Sequence, residues 1–379
     1  NGGNMLNIVN ISLPSRCRII CISDLHTHWQ ETKKLLEHCN YKPDEDYLFI
    51  LGDILERGDD NINALRYVMK LAENKRVIVI GGNNDMFVYD FAVGYNKEKF
   101  YGYFNKKPNR CFMEMAESIG ITDFSEQADE KRKLVYETFK TEISFIMNLP
   151  DAIETQQHIF IHAGIEGNDW HNMTTKTAKN LHRFINLNHE SDKTVICGHF
   201  PCYNAGRQNS NLPIFDFKRR IIDIDGGAGV TLASQVNALI IDKNDDEYNY
   251  QVKYSPIGEA KTVISDYSES RTWYYADRKQ AFSLLTPDKD TPTDFIKVRN
   301  NETNAEGVVP ECMSGYWDDA WHVWVNLNSF PRVKKGESIW VYAEYGEYCW
   351  CITESGEVGS VPKKVINLNC FETPTLQFR

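Results

Sequence analysis

Over its first 245 residues the chain alternates short apolar runs with amphipathic stretches, and this alternation constrains the fold more than any other feature. "CRIICI" (17–22), "YLFIL" (47–51) and "RVIVI" (76–80) have the length and the β-branched content of buried strands. Between them, "HWQETKKLLEHC" (28–39) and "DNINALRYVMKLAE" (60–73) repeat apolar residues at helical intervals. Strand–helix–strand–helix–strand predicts an α/β layered fold with parallel strands. Residues 96–148 read as helical, and "HIFIH" (158–162), "TVICGH" (194–199), "RRIIDID" (219–225) and "NALIID" (237–242) as further strands. The acidic stretch "DKNDDEYN" (242–249) marks a domain edge, so we expect one domain over 1–250 and a β-rich accessory region over 260–379. Six of the eight Trp lie beyond residue 260, which supports a change of architecture there.

Composition narrows the function classes. A chain of 379 residues is long enough for two domains. A net charge of −11 argues against broad binding of nucleic acid or anionic membrane, but not against a small phosphorylated substrate in a local site. No apolar run approaches the roughly 18 residues of a membrane span. The opening Asn-Gly-Gly-Asn before Met5 lacks a secretory pattern and reads as the remnant of a tag, hence as an edited sequence. Ten scattered Cys, with Cys349 and Cys351 two apart, give neither a disulfide framework nor a zinc knuckle; they predict free thiols and a reducing, cytoplasmic setting.

The ends of the strand candidates carry the chemistry. "SDLHTH" supplies Asp24 and His26, "GDILERG" supplies Gly52, Asp53 and Arg57, and "GGNND" supplies Asn83. "FIHAG" supplies His162 and "CGHFP" supplies His199. Side chains at the carboxyl ends of strands converge on the usual ligand face of such folds. Mixed carboxylate, imidazole and carboxamide donors suit manganese, iron or zinc better than calcium. Asp53 can give one oxygen to each of two ions, and such a pair can orient and deprotonate a water for in-line attack on phosphorus.

Taken in order, these blocks over residues 17–242 resemble the phosphoprotein-phosphatase branch of the calcineurin-like metallophosphoesterases, of the bacterial and phage type that includes the lambda-phage phosphatase and the diadenosine tetraphosphatases. The resemblance implies a four-layer α/β sandwich of two mixed sheets flanked by helices. It implies two divalent ions, manganese first, with iron or zinc as alternatives. One ion would take Asp24, His26 and Asp53; the other would take Asp53, Asn83, His162 and His199. Arg57 would grip the substrate phosphate, with Arg183 in "LHRFI" as a second clamp.

The departures fall on the proton donor. Glu56 stands where the family has the Asp that orients its catalytic His, and Asn84 stands in place of that His. We place Asn84, Glu56 and Arg57 in the catalytic set, and Arg57, Arg183 and Asn84 at the substrate. An amide does not ionise near neutral pH, so turnover should be weakened or lost while binding survives. The edited start favours an introduced Asn over natural divergence. Ser23 and Thr27 replace glycines of the first block. His28, His38, His158, His171, His182, His189 and His322 have no motif behind them and read as structural or surface residues, with His28 and His171 nearest the mouth. The glycines at 226, 227 and 229 read as a tight turn rather than a phosphate loop.

In the tail, "KKGESIWVYAEYGEYCWCITESGEVGSVPKKVI" (334–366) resembles a Src-homology-3-like barrel, which we bound at 334–370. Its peptide groove lacks the usual downstream Tyr, with Val365 near that place, so a peptide partner there is in question. The expected activity is hydrolysis of phosphomonoesters, phosphoserine or phosphothreonine among them, on a small-molecule or phosphopeptide substrate, by a metal-bridging hydroxide. The alternatives are a dinucleoside polyphosphate hydrolase and a phosphate-ligand binding module without turnover.

Overall fold

The structure is a computed structural model that describes residues 5–94, 111–167 and 169–367. The first four residues, part of the helical stretch 96–148 and the ends of 260–379 and 334–370 therefore lie outside the described residues. The chain divides into two compact units. The first comprises 1–201, 212–230 and 236–255; the second comprises 202–211, 231–235 and 256–379.

The first unit is built on strands β1 (Ile8–Asn10), β2 (Arg16–Ile22), β3 (Tyr47–Ile50), β4 (Val77–Val79), β5 (Ala152–Glu154), β6 (His158–Ile161), β7 (Thr194–Cys197), β8 (Ile214–Asp216), β9 (Ile221–Asp223), β10 (Ser234–Asn244) and β11 (Glu247–Ile257). They form two sheets, ordered β1-β5-β6-β7-β9-β8 and β11-β10-β2-β3-β4. Strands β2, β3 and β4 pair in parallel, as do β6, β7 and β9. Both sheets are nevertheless mixed, because β10 runs antiparallel to β2, and β8 to β9. The central strands read as unbroken apolar runs because they are covered on both faces. One core joins the sheets: Ile19, Cys21 and Phe49 meet Phe160, Ile196 and Ile222, and the Phe49 and Phe160 rings pack edge to face 4.8 Å apart.

The helices of this unit are α1 (Trp29–His38), α2 (Asn61–Ala72), α3 (Met86–Val93), α4 (Cys111–Ser118), α5 (Ala128–Thr138), α6 (Lys140–Met147) and α7 (Thr175–Asn180). Their apolar faces follow the helical period: α2 buries Ile62, Ala64, Leu65 and Val68. The start of α2 is held from outside its own segment. Glu114 accepts the N–H groups of Asn61 (2.7 Å) and Ile62 (3.0 Å), two donors that a helix start leaves unpaired.

The second unit is almost entirely β: β12 (Glu259–Thr262), β13 (Phe282–Leu285), β14 (Phe295–Asn300), β15 (Glu306–Pro310), β16 (Ser314–Trp317), β17 (Ala320–Val323), β18 (Ser338–Tyr345), β19 (Tyr348–Thr353) and β20 (Val358–Pro362). Its sheets are ordered β12-β18-β19-β20 and β15-β14-β13-β17-β16. Trp350, 1% exposed, sits in a cluster with Tyr203, Ala233, Phe282, Val298 and Ile352, so this aromatic is core. The nine described cysteines are all free. No helix among the described residues is long and apolar enough to cross a membrane.

Candidate metal centre

The carboxyl ends of β2, β3 and β4 in one sheet and of β6, β7 and β9 in the other open into loops that are tied together. His162 Nδ1 donates to the Leu51 carbonyl at 2.8 Å, the Gly198 N–H bonds the His162 carbonyl at 2.8 Å, and the His199 N–H bonds Asp24 Oδ2 at 2.9 Å. These bonds bring five sequence-predicted residues into two groups of donor atoms: Asp24, His26 and Asp53, and Asp53, His162 and His199, each within 4.8 Å. Asp53 is common to both.

The backbone here is held in an unusual conformation. Asp24, His26, Thr27, Asp53, Glu56, Arg57, Arg183 and His199 all have positive φ, between 40° and 71°. For His, Thr, Glu and Arg this left-handed region is unfavourable, and such strain clusters where a site imposes it. Two glycines permit the close approach. A Cβ on Gly82 would collide with the Asp53 carboxylate and backbone, and one on Gly198 with Asp24 Oδ2 and Ser23 Oγ.

The donor chemistry fits cations. Because a carbonyl can only accept, His26 Nδ1 must donate to Leu55 (3.0 Å) and His162 Nδ1 to Leu51. In the neutral ring each Nε2 is then a bare lone pair. His26 Nε2 faces Asp53 Oδ2 and His162 Nε2 faces Asp53 Oδ1, both at 3.5 Å. The Asn83 carbonyl oxygen lies 3.0 Å from His162 Nε2 and 2.9 Å from His199 Nδ1. Acceptors facing acceptors in a buried site repel one another, and cations between them reverse the sign. The two oxygens of Asp53 point to different histidines, which is the arrangement a bridging carboxylate needs.

Burial sets the protonation states. It lowers His26 to about 4, against the raising effect of the Asp53 charge, and lowers His199 to about 3, helped by His162. Both rings are thus neutral at neutral pH, with lone pairs available to a cation. Burial and the neighbouring Asp53 raise Asp24 well above the usual carboxylate range. Burial pushes Asp53 up as well, but His162, His26 and the Asn84 hydrogen bonds outweigh it, so its carboxyl is lowered.

Asn84 is turned onto the carboxylate common to both donor groups: its N–H donates to Asp53 Oδ1 at 2.8 Å and its side-chain amide to Asp53 Oδ2. Glu56 accepts the Cys111 N–H at 3.1 Å, at the first residue of α4. Arg57 has no hydrogen bond or ion pair among the described residues, yet its charge depresses both His26 and His199, so its guanidinium lies within reach of the centre. Arg183 lies over the Phe200 ring at 4.9 Å, next to His199 along the chain. His171 is engaged with Glu154 and Asp169, outside both donor groups. Gly227 and Gly229 have left-handed φ in a turn in which Asp225 Oδ1 accepts the Gly227 N–H, as the turn reading predicts.

Sequence reasoning missed two carboxylates. Asp85, fully buried, accepts the N–H groups of Gly82, Asp53, Ile54 and Leu55 at 2.8–3.1 Å and so fastens the second-block loop to the third. Burial, then the Asp53 charge, pushes it up to about 6. Its place inside the third block was the signal. Asp225 is buried within electrostatic reach of Asp24, and burial raises it well above the usual range.

The first unit is thus an α/β scaffold of two packed sheets with paired acceptor clusters suited to cations at its strand ends. A calcineurin-like phosphoesterase family model matches residues 17–228, more than half of the chain. The chain belongs to that family. It is similar to a symmetrical bis(5'-nucleosyl)-tetraphosphatase of Buchnera aphidicola subsp. Acyrthosiphon pisum (strain Tuc7), 29% identical over 119 residues, which cover 30% of this chain and 41% of the relative. A protein of the same name from Marinomonas sp. (strain MWYL1) is 35% identical over 78 residues, 21% of this chain and 28% of that one. The chain thus spans about two fifths or less of the length of these relatives. A solved Saccharomyces cerevisiae protein serine/threonine phosphatase with similarity to human phosphatase PP5 is 10% identical, with a TM-score of 0.42, over 67% of this chain and 85% of that one.

Proposed function

We propose that the chain is a dimetal phosphoesterase acting on phosphomonoesters, with phosphoserine and phosphothreonine as candidate groups. One observation carries this: two donor groups share Asp53, whose oxygens face His26 and His162 separately. Asp24, His26 and Asp53 would hold one ion, and Asp53, Asn83, His162 and His199 the other; the donors suit manganese first, then iron or zinc. Divalent ions, once bound, supply an activated water and Lewis-acid stabilisation of phosphoryl oxygens.

The chain's own residues orient and select. The bonds from His26 and His162 Nδ1 to main-chain carbonyls fix their tautomers. Arg57, and Arg183 beside it in role, would hold phosphate oxygens through planar forks. Asn84 can hydrogen-bond but cannot protonate a leaving alkoxide, so it and Glu56 leave the site without the family's usual acid dyad.

The names of the relatives are compatible with a second reading, cleavage of a dinucleoside polyphosphate. Its leaving group is a phosphate, a weaker base than an alkoxide, and needs less proton donation. Binding without turnover is the third reading. The free thiols support a reducing, cytoplasmic setting. The β-rich unit is proposed as an accessory domain, with 334–370 as a Src-homology-3-like barrel for a peptide or protein partner. Phosphate release by the manganese-loaded protein from an aryl phosphate and a phosphoserine peptide, and nucleotide release from a dinucleoside tetraphosphate, separate the readings. Fastest release from the phosphopeptide, relative to nucleotide release, supports the first. Selective tetraphosphate cleavage supports the second, and saturable binding of all three without release supports the third.

A further inference from the structure

In a chain of net charge −11, one pocket gathers three consecutive cationic residues, Lys218, Arg219 and Arg220. It lies in the first unit, has a volume of about 340 Å³, and is lined by Asn188, His189, Asp216, Lys218, Arg219 and Arg220. The metal centre occupies the carboxyl ends of the parallel strands, whereas this pocket precedes the amino ends of β7 and β9. Four-residue β7 alone separates the two levels by roughly 10 Å or more at about 3.3 Å per residue.

The pocket is organised from within. Arg219 is braced by Asp216 (Nη1 to Oδ2, 3.0 Å) and by Asn188 (Nε to Oδ1, 3.2 Å). The Arg220 guanidinium donates twice to the Ser191 carbonyl, at 3.1 and 2.6 Å, and its own carbonyl faces His189 Nε2 at 3.2 Å. Arg220 has φ of 55°, a left-handed conformation unfavourable for Arg. His189 Nδ1 is buried with no hydrogen-bond partner among the described residues. Lys218 is exposed and forms no ion pair among the described residues. The single lining carboxylate, Asp216, is already engaged by Arg219, which leaves the pocket net positive.

We propose that this pocket is a second anion site that takes a compact, multiply charged phosphorylated compound, independent of the metal centre. Its volume falls in the range of small-molecule sites, and braced guanidiniums beside a free ammonium match phosphate oxygens. The site is separate from the proposed reaction, so its test does not depend on turnover.

The test uses the full chain stripped of metal with a chelator, and inorganic pyrophosphate as the probe, titrated calorimetrically at moderate salt. Saturable binding with one site per chain is expected. Lys218→Gln, an exposed change that spares the braced groups, should weaken it several-fold. The double variant Lys218→Gln/Arg219→Gln should weaken it by roughly 10-fold or more, as expected for losing charge-assisted bonds. Arg57→Ala, at the metal centre, should leave it unchanged, and melting temperatures confirm that each variant is folded. Binding that is absent in the metal-free protein, unchanged in the folded double variant, or abolished by Arg57→Ala would overturn the proposal.

Discussion

The two units bury polar atoms by opposite rules. The first sequesters charge: Asp24, Asp53, Glu56, Asp85, Asp223, Asp225 and Lys179 are all buried. Among the described residues of the second, no Asp, Glu, Lys or Arg is buried, and its interior polar groups are amides, hydroxyls and one imidazole, such as Asn300, Asn326, Ser329, Thr353 and His322. Backbone strain divides in the same way. The left-handed non-glycine residues of the second unit are Asp294, Asn304, Asp318, Asp319 and Asn328, all of types that tolerate that region in turns. The first unit forces His26, Thr27, Glu56, Arg57 and His199 into it, around the donor groups. Buried charge is expensive unless compensated, so its concentration beside strained backbone marks where one unit has given up stability for a site. The other has the economy of a packed framework.

The strongest way to break this contrast is to remove the shared carboxylate. Asp53→Asn should strip the metal found by elemental analysis. It should reduce hydrolysis by more than the roughly 10–100-fold typical of losing a residue behind a ligand. Full metal occupancy in the variant would show that Asp53 is not the bridge. Next in size is the position beside it. Asn84→His should speed hydrolysis of an alkyl or seryl phosphate by ~10²–10⁴, the usual worth of a general acid, and nitrophenyl phosphate hydrolysis far less. Equal acceleration of both substrates would mean that position 84 does not serve the leaving group.

The second unit offers the converse test. Trp350→Ala empties the centre of its cluster and should cost about 3–5 kcal/mol of that unit's stability, measured by denaturant unfolding. Metal content should not change; a joint loss would mean that the units do not divide their labour as described. The smallest effect concerns a buried histidine away from the centre. Burial lowers His158 to about 4. The unfolded ring protonates near 6.5, so between these values the unfolded state binds more protons, and stability is lost as pH falls through that window. At pH 5 the loss should be about 2 kcal/mol relative to pH 7. His158→Phe should remove that slope in melts at the two pH values, even though Tyr250 loses its 2.8 Å partner. An unchanged slope would assign the acid sensitivity elsewhere.

Much of this was legible because it is local. The apolar runs at 17–22, 47–51 and 76–80 became β2, β3 and β4, since strands covered on both faces must be apolar throughout. Asp24, His26, Asp53, His162 and His199 could be named because each follows its strand by one to four residues, and strand ends share a face. Asp85 could be seen in its block but not understood, because the four N–H groups it gathers come from two different loops. The return of 202–211 and 231–235 to the second unit left no sequence mark, because Tyr203 and Ala233 look like any buried residue until their cluster is assembled.

What the sequence determined alone was the order and chemical type of the donors and the period of the elements that carry them, for these depend on neighbours along the chain. Only the tertiary structure decided which oxygen of Asp53 faces which histidine, that Asn84 turns onto that carboxylate, and that three consecutive basic residues close a pocket with His189. Those are relations between groups dozens of residues apart, and it is packing of the two sheets, not local propensity, that sets the distance between them.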